Sequence, residues 1–208
     1  MSMNKKQALI GFKLFFAILA LSALVTEIIV LASRDTFNAI NFFSFFTVLS
    51  NLFAAIMLGV SGWFLLKKSR RTTQLDMWRG AATLYMLITG IVFAILLSGY
   101  DPRTLTAVPW DNTVLHYIMP VVLLLDWLID PPQQKIAFKR ALVWLLFPLA
   151  YLAYSLIRGG FVGWYPYPFL NPATNGYGAI VIAALGIAAT AIILTFALTK
   201  VRRLTVKK

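Results

Sequence analysis

Residues 8–31 read ALIGFKLFFAILALSALVTEIIVL, an apolar run interrupted by a single lysine and a single glutamate. A helix of about 20 such residues crosses the hydrocarbon core of a bilayer. The run is too long for the apolar part of a cleaved signal sequence, so we expect a retained span. Five more runs of this kind follow, at 41–66, 77–97, 113–129, 140–157 and 177–199. The sequence therefore predicts six transmembrane helices.

The composition agrees with a protein that is surrounded by lipid. Hydrophobic residues make up 60% of the 208 residues and charged residues only 12%, whereas a soluble domain carries about 25% charged residues. Such a small polar fraction excludes an ordinary soluble enzyme and a disordered tail. Because lipid offers no hydrogen-bond partner to an open strand edge, we expect an all-α fold. The short connections predict one six-helix domain over residues 1–208.

The distribution of basic residues predicts the orientation of the spans. The chain has 19 Lys and Arg residues against 7 Asp and Glu residues, a net charge of +12. With six spans, all of the basic residues except Arg34, Arg103 and Arg158 fall on one side. An excess of Lys and Arg marks the cytoplasmic side, so we expect both termini in the cytoplasm. Since the basic residues occupy short segments between apolar runs, nucleic-acid binding is not expected.

Several polar residues lie inside the predicted spans, namely Glu27, Thr47, Asn51, His116 and Asp126. Ionisable groups inside a bilayer are costly and are functional candidates by default. At about 1.5 Å of rise per residue, Glu27, Thr47 and His116 fall in one layer, in the outer half of the membrane. Asp126 lies about 15 Å deeper. We interpret it as a structural or snorkelling residue near the cytoplasmic side.

Thr47 and His116 form the smallest set of residues that could perform covalent acyl transfer. A histidine in an apolar layer can act as a general base near neutral pH, and a threonine becomes a nucleophile when a base takes its proton. Asn51, one helical turn from Thr47, is placed to donate to an oxyanion. Glu27 or Asn112 would orient the imidazole, as the third member of a triad does.

Two features near this layer predict local structure. Pro120 has no N–H group, so the helix is expected to bend there and to leave the carbonyl of His116 without its usual partner. The loop 159–176 is rich in Trp, Tyr and Pro. Because Tyr and Trp favour the headgroup layer, this loop is expected to lie along the outer interface, as an anchor or a lid.

Two other classes of function remain open. Glu27 and His116 could form the proton-linked site of a transporter or of a small-molecule-binding protein. A buried threonine in a membrane helix commonly bonds to its own helix, so a non-catalytic structural protein is also compatible with the sequence. A single histidine and the absence of cysteine exclude a multi-His or cysteine metal site within one chain. Without a phosphate-binding loop either, we expect no metal and no cofactor.

Two motifs resemble a known family. Residues 42–52, FFSFFTVLSNL, are similar to the second-span motif of the androgen-induced membrane protein family, and Thr47 matches its nucleophilic threonine. Residues 110–116, WDNTVLH, with Pro120 after them, are similar to the segment that holds its essential histidine. His116 matches that histidine and Asn112 an asparagine four residues earlier, although the second histidine of the eukaryotic motif has no counterpart here.

The resemblance implies a function and a location. Eukaryotic members of that family are threonine hydrolases that cleave fatty-acid esters of hydroxy fatty acids. The loop YPYPFL at 165–170 is similar to that of the bacterial six-span members, which implies a multi-pass protein of the bacterial plasma membrane. We therefore expect an integral-membrane hydrolase of lipid esters, with Thr47 and His116 as catalytic residues. Its partners would be a lipid or fatty-acid ester substrate and the membrane lipids.

Overall fold

The described part of the chain forms six long apolar helices, and the prediction of six membrane spans is confirmed. The computed structural model describes residues 3–101 and 106–201, and this part of the chain contains helices but no strand. The basic residues Arg103, Arg202, Arg203, Lys207 and Lys208 lie outside the described residues. The helices are α1 (Asn4–Ser33), α2 (Phe46–Leu66), α3 (Thr73–Leu97), α4 (Pro109–Ile129), α5 (Phe138–Val162) and α6 (Pro172–Lys200). The chain is thus an all-α, multi-pass membrane protein.

Consecutive long helices run in opposite directions, so the bundle has two ends. We call them the Thr47 end and the Asp130 end, after a residue at each. The outward-facing surfaces of the helices carry large apolar side chains, including Phe15, Ile18 and Ile193. In a bilayer these side chains contact lipid, which explains why they are exposed in a folded chain.

The second predicted run does not form one continuous helix. Residues Ala39–Phe42 make a single turn, which the Asn38 side chain caps by accepting from the Asn41 N–H at 2.9 Å. Phe45 is then extended, and the first helical bond of α2 runs from the Leu49 N–H to the Phe45 carbonyl at 3.2 Å. The break moves the start of α2 from the predicted residue 41 to Phe46. Thr47 is consequently the second residue of a helix, where the amides have no partner within the helix.

Helices α3 and α4 approach closely beside Pro120. A Cβ atom on Gly90 of α3 would lie 2.9 Å from the Pro120 Cβ, so only glycine permits this contact. Each helix also contains a wide π-helical turn, at Phe93–Leu97 and at Val114–Ile118. The wide turn of α4 ends two residues before Pro120, and it shifts the unpartnered carbonyl that we expected at His116 to Leu115. Such turns are rare in ordinary helices and are frequent at functional sites.

At the Asp130 end, three cations and three carboxylates are buried together. We call this group the charged cluster; it consists of Lys13, Arg71, Asp76, Arg79, Asp126 and Asp130. Asp126 bonds the Lys13 ammonium, and its second carboxylate oxygen lies 2.7 Å from Arg79 Nη2. Asp126 therefore joins α1, α3 and α4 at the end of the bundle opposite Thr47, in keeping with the structural role expected for it.

Candidate active site

Thr47 and His116 meet at the Thr47 end of the bundle. Thr47 Oγ1 lies 3.2 Å from His116 Nε2, although the two residues are 69 positions apart in the chain. Both side chains are buried. At this distance a threonine hydroxyl can donate a hydrogen bond to a basic nitrogen. This is the arrangement that activates a weak hydroxyl nucleophile.

The other ring nitrogen of His116 fixes the state of the imidazole. Nδ1 lies 3.2 Å from the main-chain carbonyl of Asn112. Because a carbonyl can only accept, Nδ1 carries the proton, and in a neutral ring Nε2 is then the acceptor that faces Thr47. The ring also stacks on Phe93, with centroids 4.2 Å apart. The group that orients the imidazole is thus the backbone of Asn112, whereas the sequence pointed to Asn112 or Glu27 without specifying an atom.

Asn51 is directed at the backbone rather than at the reacting atoms. Its Nδ2 donates to the carbonyl of Thr47 at 2.9 Å and to that of Leu115 at 3.2 Å. In the wide turn of α4, the Met119 N–H bonds the Val114 carbonyl, five residues earlier. The same spacing would pair the Leu115 carbonyl with residue 120, but Pro120 has no N–H to donate. Asn51 therefore satisfies the backbone around both candidate residues, and neither of its amide hydrogens is free for an oxyanion.

Glu27 lies in the same layer as His116 but has different partners. Its Oε1 accepts from the Ala107 N–H at 2.7 Å. Its carboxyl group also lies beside that of Asp111, and no donor among the described residues reaches either Asp111 oxygen. Asp111, which the sequence did not single out, is thus a buried neighbour of Glu27.

Tyr167 is the third residue in direct contact with Thr47. The chain leaves α5 at Gly163, which has a positive φ of 68°, and Tyr167 then reaches inward to the start of α2. Its hydroxyl accepts from the Thr47 N–H at 3.1 Å and lies 3.2 Å from Thr47 Oγ1. Since Thr47 donates its own proton to His116, the Tyr167 O–H donates to Thr47 Oγ1. Burial raises the pKa of Tyr167, which keeps this donor protonated at neutral pH.

Two cavities meet at Thr47 and Tyr167. The outer chamber has a volume of about 640 Å³ and is lined by Glu27, His116 and several Asn, Thr and aromatic side chains. The inner chamber has a volume of about 180 Å³ and is lined almost entirely by apolar residues of α3, α5 and α6. The segment 164–170 contributes residues to both cavities. The loop expected to lie along the interface thus also covers the site.

Taken together, the site can supply a hydroxyl nucleophile, a base and a hydroxyl donor, with space on both sides of the nucleophile. Within residues 3–101 and 106–201, no group of three or more His, Asp or Glu side chains is arranged to hold a metal ion. No protein-family model, curated protein or solved structure matches this chain. The function is therefore argued from the geometry of the site.

Proposed function

We propose that this protein is an integral-membrane hydrolase of lipid esters, in which Thr47 is the nucleophile and His116 the general base. The observation that carries the proposal is the bonded series from the Asn112 carbonyl through both nitrogens of His116 to Thr47 Oγ1, with both steps at 3.2 Å. A base oriented by a third group and bonded to a hydroxyl is the recurring arrangement of covalent acyl transfer. The resemblance of residues 42–52 and 110–116 to a threonine hydrolase family supports the same chemistry.

In the proposed reaction, His116 Nε2 takes the proton of the Thr47 hydroxyl while Oγ1 bonds to the ester carbonyl carbon. The carbon–oxygen bond to the alcohol then breaks, and the alcohol leaves with the proton from His116. The resulting acyl-threonine is attacked by water, whose proton passes to Nε2. Breakdown of this second intermediate releases the acid and returns the proton to Thr47.

Tyr167 is the proposed donor to the oxyanion. Once Oγ1 is bonded to carbon, the Tyr167 O–H no longer needs to donate to it and can turn to the adjacent carbonyl oxygen. The start of α2 contributes as well, because the partial positive charge of a helix N-terminus favours negative charge nearby. These groups replace Asn51, whose amide hydrogens are bonded to main-chain carbonyls.

The proposed setting is the plasma membrane of a bacterium, with both termini in the cytoplasm and the Thr47 end facing outward. The excess of basic residues at the Asp130 end supports this orientation. A site in the outer half of the bilayer would receive its ester directly from the outer leaflet, close to the depth at which lipid ester groups lie.

The first prediction tests the two proposed catalytic residues. Purified protein in lipid nanodiscs is expected to hydrolyse fluorogenic long-chain esters. Thr47→Ala and His116→Ala are each expected to lower kcat at least about 100-fold, because loss of a positioned base or of its nucleophile removes the activated hydroxyl. Thr47→Ser keeps a hydroxyl at the same place and should retain measurable turnover. A fluorophosphonate probe should modify Thr47, as mapped by peptide mass spectrometry.

Thr195→Ala serves as the matched control. Thr195 is also a buried membrane threonine, but it bonds its own helix at the Ala191 carbonyl at 2.7 Å, far from any histidine. Its substitution should leave hydrolysis and labelling unchanged. Full activity in Thr47→Ala, or labelling at another residue with Thr47 unmodified, would contradict the proposed mechanism.

The proximity of the buried Glu27 and Asp111 carboxyl groups favours a second candidate function, a proton-linked transporter. Glu27 lines the outer chamber together with His116, and carboxyl groups inside a membrane are the usual components of proton relays in transporters. This alternative predicts proton-coupled uptake into proteoliposomes that Glu27→Gln abolishes and Thr47→Ser does not affect. Ester hydrolysis that requires Thr47 without such uptake would favour the hydrolase.

A further inference from the structure

We infer that the inner chamber binds the acyl chain of the ester cleaved at Thr47, and that small residues of α6 in its wall set the length of chain accepted. The inference rests on the proposed function and assigns one half of the substrate to one cavity. Three properties of the chamber support it: its lining, its direction and its opening toward lipid.

The lining of the inner chamber suits a hydrocarbon chain. Away from Thr47 and the tyrosines, Thr89 is the only polar side chain among the described residues that line it, and its hydroxyl donates to the Tyr85 carbonyl of its own helix at 3.0 Å. No charged residue of the described chain lines it. An apolar cavity of about 150 Å³ stays dry and binds apolar molecules, and this one holds about 180 Å³. The outer chamber, with Glu27 and Asn41, is the polar counterpart.

The chamber extends in the direction that an acyl chain takes in a leaflet. It begins at Thr47, and its α6 wall runs from Ala184 to Ile192. This distance is about 12 Å along the helix axis, directed away from the Thr47 end. Half of a bilayer core measures about 15 Å. A chain that follows the chamber therefore points from the layer of the ester toward the membrane centre.

The chamber also opens sideways, between α5 and α6. Leu149 and Ile192 line it, yet the side chains are 54% and 45% exposed on the outer surface of the bundle. In a membrane this surface is covered by lipid. An acyl chain can therefore enter from the leaflet without crossing water, and a chain longer than the chamber can extend into lipid.

The test uses esters that share one alcohol and differ only in acyl length, such as p-nitrophenyl esters from acetate to palmitate. Ala188 lines the chamber and is not fully packed, so Ala188→Phe fills the space while leaving Thr47 accessible. We expect kcat/KM for palmitate to fall at least ten-fold and that for acetate to stay within two-fold. Ala184→Phe, one turn nearer Thr47, should exclude shorter chains as well. Ala189→Phe, on the lipid-facing side of α6, should behave as the unaltered protein.

A second measurement does not depend on hydrolysis. A long-chain ester with a diazirine at the end of its acyl chain is photolysed with the Thr47→Ala protein, and the crosslinks are mapped by mass spectrometry. Crosslinks at chamber residues such as Leu145, Ala188 or Ala191 are expected. They would support the chamber even if the unaltered protein cleaved no ester, an outcome that would contradict the proposed function alone.

Two results would overturn the inference. One is an equal loss of activity for all acyl lengths in Ala188→Phe, with thermal stability unchanged, since this would show that the filled space is not where the chain lies. The other is crosslinking confined to outward-facing residues such as Ile182 and Ile193, which would show that the acyl chain rests on the outside of the bundle.

Discussion

The Tyr167 hydroxyl contacts both the main chain and the side chain of Thr47. It accepts from the Thr47 N–H and donates to Oγ1, so a single phenol both caps the start of α2 and touches the proposed nucleophile. Tyr151 also caps the start of α2 but does not contact Thr47 in this way. Its hydroxyl accepts from the Phe46 N–H at 3.2 Å and donates to the Ser44 carbonyl. The two tyrosines therefore allow capping and catalysis to be separated by experiment.

Tyr167→Phe is expected to lower kcat about 100-fold, the effect of removing one oxyanion donor. The apolar surroundings of the ring remain intact, so KM for a long-chain ester should change much less than kcat. The measurement is steady-state hydrolysis in nanodiscs, with the rate of fluorophosphonate labelling as a second readout.

Tyr151→Phe removes a comparable cap and should reduce thermal stability while affecting kcat much less. Tyr177→Phe, at an exposed position, controls for the loss of a phenol as such. A Tyr167→Phe protein with unchanged kcat and lowered stability would assign Tyr167 to capping alone.

Sequence reasoning could predict that Thr47 and His116 lie in one layer, because depth along a helix follows directly from residue number. The 3.2 Å contact between them also depends on how α2 and α4 pack. It could not predict that Asn112 would act through its carbonyl, since this depends on the path of the backbone around a wide turn. Tyr167 and Asp111 were missed for a related reason. A loop residue has no fixed depth, and a carboxyl group at the start of a span resembles one that faces water until its neighbours are known.

At the scale of helices, the site depends on how closely α3 and α4 approach. Gly90 contacts Pro120, which lies two residues after the end of the wide turn that carries His116. Phe93, in the matching wide turn of α3, stacks on the imidazole. A displacement of α3 would therefore move Phe93, which packs on the imidazole, and also α4, which carries His116.

Gly90→Ala is expected to destabilise the protein by about 1–3 kcal/mol, the usual cost of overpacking a close contact. The added Cβ would lie 2.9 Å from the Pro120 Cβ, and the proline ring cannot rotate away. Thermal unfolding in detergent should show a lowered Tm, and hydrolysis should fall as His116 shifts from Thr47.

Gly186→Ala is the comparison, because nothing lies within 4 Å of its added Cβ and alanine favours helix. It should leave Tm unchanged or raise it. If Gly90→Ala were as stable and as active as Gly186→Ala, the α3–α4 contact would not control the site.

Helix positions were predictable from apolar length, yet several helix ends were not. The sequence placed the start of α2 before Phe46 because three of the four residues 42–45 are phenylalanines, as apolar as the helix itself. Hydrophobicity alone cannot show that hydrogen bonds from Ser44 and Tyr151 end the regular pattern there. The helix α4 begins at Pro109 instead of the predicted residue 113. Proline suits a first helical position because the N–H group that it lacks would have no partner within the helix there.

At the scale of the whole molecule, the charged cluster joins four segments of chain at the Asp130 end. Asp130 lies just beyond α4, and its Oδ2 is 3.1 Å from Lys13 Nζ and 3.5 Å from Arg79 Nη2, with Arg71 bonded to the same atom. Although burial raises the pKa of Asp130, the three surrounding cations outweigh this effect and hold the pKa below its ordinary value.

This arrangement predicts how stability responds to pH. A carboxyl group with a lowered folded-state pKa stabilises the protein fully above its unfolded pKa of about 3.9, and the contribution is lost as the pH falls through the folded value. The Tm of the unaltered protein should therefore stay level from pH 7 to about pH 4.5 and then fall.

Asp130→Asn should lower stability at pH 7 by about 3 kcal/mol, because it leaves buried cations without their counter-charge. It should also reduce the further loss of Tm on acidification. Asp35→Asn, at an exposed turn, should change neither quantity. A Tm that is unaffected by Asp130→Asn at both pH values would contradict the proposed contribution of the cluster.

Thr47 separates two chambers of unlike chemistry, so the products of a cleavage there would leave in different directions. The freed acid, with its tail in the inner chamber, would slide between α5 and α6 into the surrounding leaflet. The alcohol would remain among the asparagines of the outer chamber, on the path to water. The architecture would thus separate the two products as soon as they form.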